Sequence, residues 1–268
     1  MNITIGKPCA ISEKGCRQNN EDSLYPQPEA VKPNQKLFLV CDGVGGAEKG
    51  EIASSLACDY FQSYFSNMLG KDEPTSEFIH KALRYTEINF DEYIKQHPDA
   101  TGMATTLTML YLGSSGITLA HIGDSRIYQF RNGKIIYKTE DHSLINSLLK
   151  LKQITLEEAK SHPRKNVITR AVNGTKQATE ADVILLTDIE PGDYFFMCTD
   201  GVLENFTDES LACLFRKKTA SEVIKDEIME ACNGKTRDNF SFYVIPVNDV
   251  QETPGVKQNI LSFFYSFI

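Results

Sequence analysis

Two stretches of this chain run apolar and then stop on a carboxylate and a glycine. The first is Leu37-Phe38-Leu39-Val40-Cys41-Asp42-Gly43; the second is Tyr194-Phe195-Phe196-Met197-Cys198-Thr199-Asp200-Gly201. Unbroken apolar runs of this length read as buried strands, which the fold has to cover. A strand held rigid by a core fixes the carboxylate at its tip in space. The glycine that follows lets the backbone turn sharply and come close to a ligand.

Two more aspartates have similar settings. Asp124 follows Ile117-Thr118-Leu119-Ala120-His121-Ile122-Gly123, and Asp238 precedes Phe240-Ser241-Phe242-Tyr243-Val244-Ile245. Carboxylates gathered at strand ends repel one another unless a cation joins them. Hard divalent ions such as Mg²⁺ and Mn²⁺ favour carboxylate, carbonyl and water oxygens.

Composition narrows the classes. The 268 residues are 41% hydrophobic and 24% charged, enough for a substantial core in one large or two small domains. The formal net charge is −8 and no basic stripe announces nucleic-acid binding. The seven cysteines form no C-x-x-C pair, and Cys41 and Cys198 lie inside apolar runs. That pattern argues for a reducing cytoplasm and against a disulfide framework or a zinc site. Residues 1–10 carry no signal-peptide pattern, and no window is apolar for long enough to span a bilayer.

Along the chain, residues 37–42 read as a strand, followed by the glycine-rich loop Gly43-Val44-Gly45-Gly46. Ile52, Leu56, Tyr60, Tyr64 and Met68 recur every four residues, predicting a helix that stops near Gly70. A second helix is predicted over 76–96, ended by Pro98. Residues 105–112 and 117–122 read as strands, and Asn132-Gly133 as the turn of a hairpin between 126–130 and 134–138. Short connections of this kind predict antiparallel pairing. Over 142–174 the pattern changes to short helices, with Thr155-x-x-Glu158 as a capping box. Strands resume at 183–186 and 194–198, then helices near 208–215 and 220–232, the latter with Thr219-x-x-Glu222 read as a second box. Residues 247–256 read as a polar linker, and 260–268 as a short, very apolar tail.

Arg17-Gln18-Asn19-Asn20-Glu21-Asp22 places a cation beside two acids: the acids suit a metal or its water, the arginine fork suits a phosphate. Gly45 to Glu51 has the glycine spacing of a nucleotide phosphate loop but lacks the lysine and hydroxyl residue that must follow, which excludes a Walker-type NTPase. Gly123-Asp124-Ser125-Arg126 and Arg237-Asp238-Asn239 complete the set.

Taken together and in order, these motifs resemble the metal-dependent serine/threonine protein phosphatases of the protein phosphatase 2C type, in their compact bacterial form. The matching stretches are residues 17–23, 40–46, 102–108, 120–128, 141–144, 166–174, 198–205 and 237–239. The resemblance implies an α+β fold, a four-layer α-β-β-α sandwich of two antiparallel sheets flanked by helices, with a small flap subdomain. It implies a catalytic domain over 1–248, a flap at about 142–174, and a linker and tail over 249–268. It implies that Asp42 bridges two Mn²⁺ or Mg²⁺ ions, that Asp200 and Asp238 complete one, and that the Gly43 carbonyl and, through water, Glu21 hold the other. Asp22 would orient metal-bound water, Asp124 with Asp200 would hold a third, weaker ion, and Arg17 would bind the substrate phosphate. The activity so implied is hydrolysis of phosphoserine and phosphothreonine in proteins by a metal-activated water, opposing a cognate serine/threonine kinase, by a cytoplasmic monomer. Val44 departs from the many animal members that carry a histidine there, so the leaving-group proton needs another source. His121 and His142 read as structural.

Two other classes are weighed against this. An inactive phosphoprotein-binding module of the same fold would have lost metal ligands, and every matched acid is present. A two-metal nuclease would want a basic patch. The tail reads as covering an apolar strip of the domain rather than as docking on a partner or a membrane surface.

Overall fold

The computed structural model describes residues 1–44, 49–70, 73–174, 179–216 and 219–251. Its strands are β1 (Asn2–Ile5), β2 (Cys9–Glu13), β3 (Asp22–Tyr25), β4 (Leu37–Val44), β5 (Ala104–Thr105), β6 (Leu107–Leu112), β7 (Ile117–Ile122), β8 (Arg126–Arg131), β9 (Lys134–Lys138), β10 (Asp182–Leu186), β11 (Tyr194–Cys198) and β12 (Phe240–Gln251). The helices are α1 (Lys49–Met68), α2 (Ser76–Gln96), α3 (Leu144–Lys150), α4 (Leu156–Ser161), α5 (Asp200–Leu203), α6 (Asp208–Leu214) and α7 (Ser221–Cys232). One sheet has the order β1-β12-β11-β8-β9, with β2 also on β12; the other has β10-β7-β6-β4-β3, with β5 also on β4. Every pairing is antiparallel.

The period-2 alternation of strands builds the layers. In β4, Leu37, Leu39 and Cys41 join a core with Ala53, Ala57, Phe61 and Phe65 of α1 and Ile79, Leu83 and Phe90 of α2. The alternate residues Phe38 and Val40 join a second core with Phe195, Met197, Tyr243 and Ile245 of the other sheet. In β11, Tyr194, Phe196 and Cys198 face a third core shared with Leu211 of α6 and Ile224 and Ile228 of α7. Both apolar runs are therefore continuous because each face of the strand is covered. Phe38 and Tyr243 meet edge to face across the sheets at 5.2 Å. Truncating a ring so placed costs about 3–5 kcal/mol.

Local signals account for much of the rest. Thr75 caps α2 by accepting from the Phe78 amide, and the helix gives way at His97 to a short 3₁₀ turn opened by Pro98. Asn132 and Gly133 both take positive φ in the β8–β9 hairpin. The Thr155 capping box forms as expected.

Several expectations need correction. The first strand runs two residues past Asp42, through Gly43 and Val44, because β5 and the Thr106 amide pair with its end; Gly45 and Gly46 lie outside the described residues. The strand expected over 105–112 breaks at Thr106, whose amide turns to the Asp42 carbonyl. Thr219 and Glu222 form no capping box: Ala220 is the N-cap, the Thr219 carbonyl accepts from Tyr194 Oη, and Glu222 pairs with Lys7. The stretch from 247 opens as strand, since β12 runs to Gln251 against β1 and crosses the boundary expected at 248. The tail lies outside the described residues. Strands β1, β2 and β3 had no sequence signal, being short and only partly buried.

Candidate active site

The layer between the sheets stays apolar until one edge, where the same alternation turns it acidic. Asp42 continues the Phe38-Val40 face of β4, and Asp22 continues the Leu24 face of β3; the two are register partners. On the facing sheet β11 ends at Cys198, and Asp200 opens the first turn of α5. Asp124 sits in the turn from β7 to β8, and Asp238 just before β12. Arg17, Glu21, Asp42, Gly43, Val44, Asp124, Asp200, Asp238 and Asn239 line one cleft of about 400 Å³, with Asn166 and Ile168 from the 142–174 stretch as its wall.

Of the residues singled out from sequence, Asp22 alone does not line this cleft. It is buried behind Asp42, where Oδ2 accepts from Thr199 Oγ1 at 2.9 Å and Oδ1 has no partner. Arg17 reaches the cleft but donates from Nη2 to Asp238 Oδ2 at 2.7 Å. Arg17 is exposed and Asp238 half-buried, so solvent screens the pair and it is easily exchanged.

Backbone and hydroxyl contacts hold the acids. The Asp42 amide donates to Thr106 Oγ1 at 2.9 Å, and its carbonyl accepts from the Thr106 amide and from Thr105 Oγ1. Thr106 Oγ1 also pairs with Ser125 Oγ at 2.8 Å, linking the Asp42 strand to the Asp124 turn. Asn239 accepts from the Glu21 amide at 2.9 Å and donates to the carbonyls of Lys14 and Asn19, pinning the loop that carries Arg17 and Glu21. Gly43 packs directly on the start of α1: a Cβ there would lie 2.1 Å from the Gly50 carbonyl oxygen. Behind Asp124, Arg126 grips Asp141 with Nε and Nη2, both at 2.7 Å.

The electrostatics are strained in one direction. Burial, then the charges of Asp22, Asp200, Asp124 and Asp238, push the Asp42 carboxyl well above the carboxylate range. Burial, with Asp200 and Asp238 nearby, pushes Asp22 up to about 8. Burial and Asp200 push Asp124 up to about 7, against the pull of Arg126. Burial and Asp238 push Asp200 up to about 6, against a hydrogen bond with Asp42. Glu21 is raised by burial too, with Arg17 offsetting part of it.

That donor set fits divalent metal. It is all oxygen, it carries more negative charge than Arg17 and Arg126 offset, and just behind it Asp22 Oδ1 is buried without a partner. Among the described residues, the trio whose ligand atoms all fall within 4.8 Å is His121, His142 and Asp182, not a set of cleft acids. The acids are spread more widely than one closed shell, which suits ions that keep waters of their own.

The family model described as protein phosphatase 2C matches residues 15–232. The chain belongs to the protein phosphatase 2C family. Over 244 residues it is 31% identical to the serine/threonine protein phosphatase PstP of Mycobacterium tuberculosis, covering 90% of this chain and 45% of that protein. The chain thus spans less than half the length of this relative. It is 29% identical over 241 residues to the serine/threonine phosphatase stp of Listeria welshimeri, covering 88% of this chain and 93% of that one. A solved structure of the catalytic domain of PstP in complex with two manganese ions superposes with a TM-score of 0.75 at 28% identity, covering 92% of this chain and 100% of that one. The four-layer α+β sandwich expected of a protein phosphatase 2C is the fold observed.

Sequence reasoning assigned no role to Thr106, Thr199, Asn239 or the Arg126–Asp141 pair. Thr106 and Asn239 lay inside matched motifs, but their partners are 64 and 218 residues away, and no local pattern reports such contacts.

Proposed function

We propose that this chain hydrolyses phosphoserine and phosphothreonine in proteins, with Mn²⁺ or Mg²⁺ held by the acids of the cleft. The convergence of Glu21, Asp42, Asp124, Asp200 and Asp238 on one cleft beside Arg17 supports this reading most. In it, Asp42, Asp200, Asp238, Glu21 and the Gly43 carbonyl would hold the ions, and Asp124 with Asp200 would hold a further, weaker one. The bound ions would supply an activated water and offset the charge of the phosphoryl group.

The chain's own residues do the rest. Arg17 exchanges Asp238 for the phosphate, presenting its planar fork of donors to two phosphoryl oxygens. Asn239 keeps that arginine's loop in place. Thr105 and Thr106 hold Asp42 so that its carboxylate does not reorganise during the reaction. Asp22, behind Asp42, would carry its negative charge at neutral pH only with the ions bound, because burial pushes it up to about 8 without them. Val44 and Ile168 give the cleft apolar walls, and Asn166 offers an amide for a peptide backbone or side chain. Val44 has no proton to give the leaving serine or threonine oxygen, so solvent in the cleft supplies it.

The substrates are then phosphorylated proteins, and a serine/threonine kinase is the natural counterpart. Among the described residues no helix is long and apolar enough to cross a membrane; a cytoplasmic monomer whose catalytic domain extends through the end of β12 at Gln251 is our reading. The test is phosphate release from a phosphothreonine peptide as Mn²⁺ is titrated in, with Asp200→Ala alongside. Turnover should require the ion and fall by more than about 100-fold in the variant. No turnover by folded, Mn²⁺-loaded protein on several phosphopeptides would sink the reading and favour a binding module.

A further inference from the structure

His121, His142 and Asp182 bring their ligand atoms within 4.8 Å of one another just behind the Asp124 turn. Their hydrogen bonds argue against a metal. His121 Nε2 lies 2.8 Å from the Glu140 carbonyl, which can only accept, so that nitrogen carries the proton. His142 Nδ1 lies 3.2 Å from the Gly123 amide, which can only donate, so Nδ1 presents its lone pair and Nε2 carries the proton. That proton points to Asp182 Oδ2 at 3.2 Å. An ion between these groups would have to strip His142 of its remaining proton. It would also meet the Arg170 guanidinium, whose Nη1 is 2.7 Å from Asp182 Oδ1 and 3.3 Å from His142 Nε2.

What the arrangement does instead is fix one tautomer. Asp182, held by Arg170, takes the Nε2 proton and leaves Nδ1 free for the Gly123 amide. The His142 amide in turn donates to the Gly123 carbonyl at 2.8 Å, so one residue holds both backbone groups of Gly123. Gly123 has φ +101°, and a Cβ on it would sit 2.5 Å from Thr106 Cγ2, so this turn has little room to relax. Its next residue is Asp124. On the other side, the His142 carbonyl accepts from the Thr169 amide at 2.7 Å, and Ser143 bridges to Ile168, a wall of the cleft.

We propose that His142 is a positioning residue for Asp124, kept in the required tautomer by Asp182 and Arg170, and that through it the 166–170 wall and Asp124 hold one common geometry. This rests on the reading above in which Asp124 helps to hold a divalent ion. The consequence is that the affinity of the weakest Mn²⁺ site depends on groups that never touch the ion.

Two substitutions separate the contacts. His142→Asn keeps an acceptor at the Nδ1 position and loses the reach to Asp182. His142→Gln keeps the reach and loses the acceptor for Gly123. Mn²⁺ binding is followed by calorimetry, without substrate, on wild type, both variants and Asp124→Asn. The weakest step should loosen by about 10-fold or more in His142→Gln, as in Asp124→Asn, and by no more than about 3-fold in His142→Asn. Asp182→Ala, at an exposed position, is the second approach. Nitrogen chemical shifts of the His142 ring should show Nε2–H in wild type and a gain of the Nδ1–H form in Asp182→Ala, with the same Mn²⁺ step weakened. Unchanged Mn²⁺ binding in His142→Gln would overturn the proposal. Equal weakening in His142→Gln and His142→Asn with matching losses of melting temperature would do so too, since that is a packing role. So would an Asp124→Asn titration identical to wild type. The expected Mn²⁺ pattern in a wild type inactive on phosphothreonine peptides would support the positioning role while sinking the phosphatase reading.

Discussion

Two clusters of buried aspartate show opposite ways of handling charge. Away from the cleft, Asp193 is fully buried, yet both its oxygens are satisfied: Arg131 donates from Nε at 2.8 Å and from Nη2 at 2.9 Å, Gln129 at 2.8 Å and the Glu190 amide at 3.0 Å. Arg131 also reaches Asp188 and Glu190, whose carboxylates are exposed to solvent, so the one buried charge there is matched within the chain. Behind the cleft, Asp22 is as good as buried and has an oxygen without a partner; Asp42 is its register partner, and Asp200 and Asp238 lie nearby. Asp193 is neutralised within the chain and the cleft acids are not; the second arrangement is the one that the divalent ions of our proposed function would suit.

The largest effect expected from this contrast is at the neutralised cluster. Arg131→Met strands Asp193 and should cost about 3–5 kcal/mol in urea unfolding, with Mn²⁺ binding unaltered. A loss of Mn²⁺ affinity there would mean the two clusters are not independent. Next, Gly43→Ala forces a methyl against the Gly50 carbonyl, so β4 and α1 must part. About 1–3 kcal/mol of stability should be lost, and Mn²⁺ affinity with it, because the Asp42 strand end moves.

Asp200→Asn should act in the opposite sense on the chelated protein. Removing a repelled charge raises its melting temperature by a few degrees, roughly 2–4 °C for each kcal/mol recovered, while the rise that Mn²⁺ gives wild type shrinks. A variant that melts lower without metal would show that Asp200 is paired in a way the cleft does not display. The smallest effect is on pH. Asp200, Asp124 and Asp22 are raised to about 6, 7 and 8. Between the ordinary carboxylate range and those values the folded chain holds more protons than the unfolded one, so stability falls as pH rises through that window. Differential scanning calorimetry of chelated protein should show a melting temperature about 2 °C lower at pH 8.5 than at pH 5.5, with Mn²⁺ abolishing most of the difference. A flat profile would mean that neither burial nor their neighbours' charge raises these acids in the folded chain.

How far the site was legible in sequence follows from the same contrast. Asp42 and Asp200 announce themselves because an apolar strand delivers each to an edge. Asp124 and Asp238 carry a weaker form of that signal. Asp22 was read as one of the set but stands behind it, because pairing of β3 with β4 places it opposite Asp42 in the buried register. The Thr219-x-x-Glu222 pattern does mark the start of α7 but forms no capping box: Ala220 is the N-cap, and Glu222 pairs instead with Lys7 from a distant element. Thr207, which carries no Glu or Gln three residues on, forms a reciprocal cap with Ser210 instead.

The sequence by itself determined which segments are strands and helices wherever apolar periodicity is strong, as in β4, β11, α1 and α2, since period and burial are local properties of the chain. It also determined that aspartates stand at the ends of buried strands. Only the tertiary structure decided that those ends meet at one edge of the sandwich. It alone set Asn239 against Glu21 and His142 against Gly123, and left the acids without enough arginine to balance them. Those outcomes depend on register and layer order between segments far apart in the chain, which contact energies decide and no local pattern encodes.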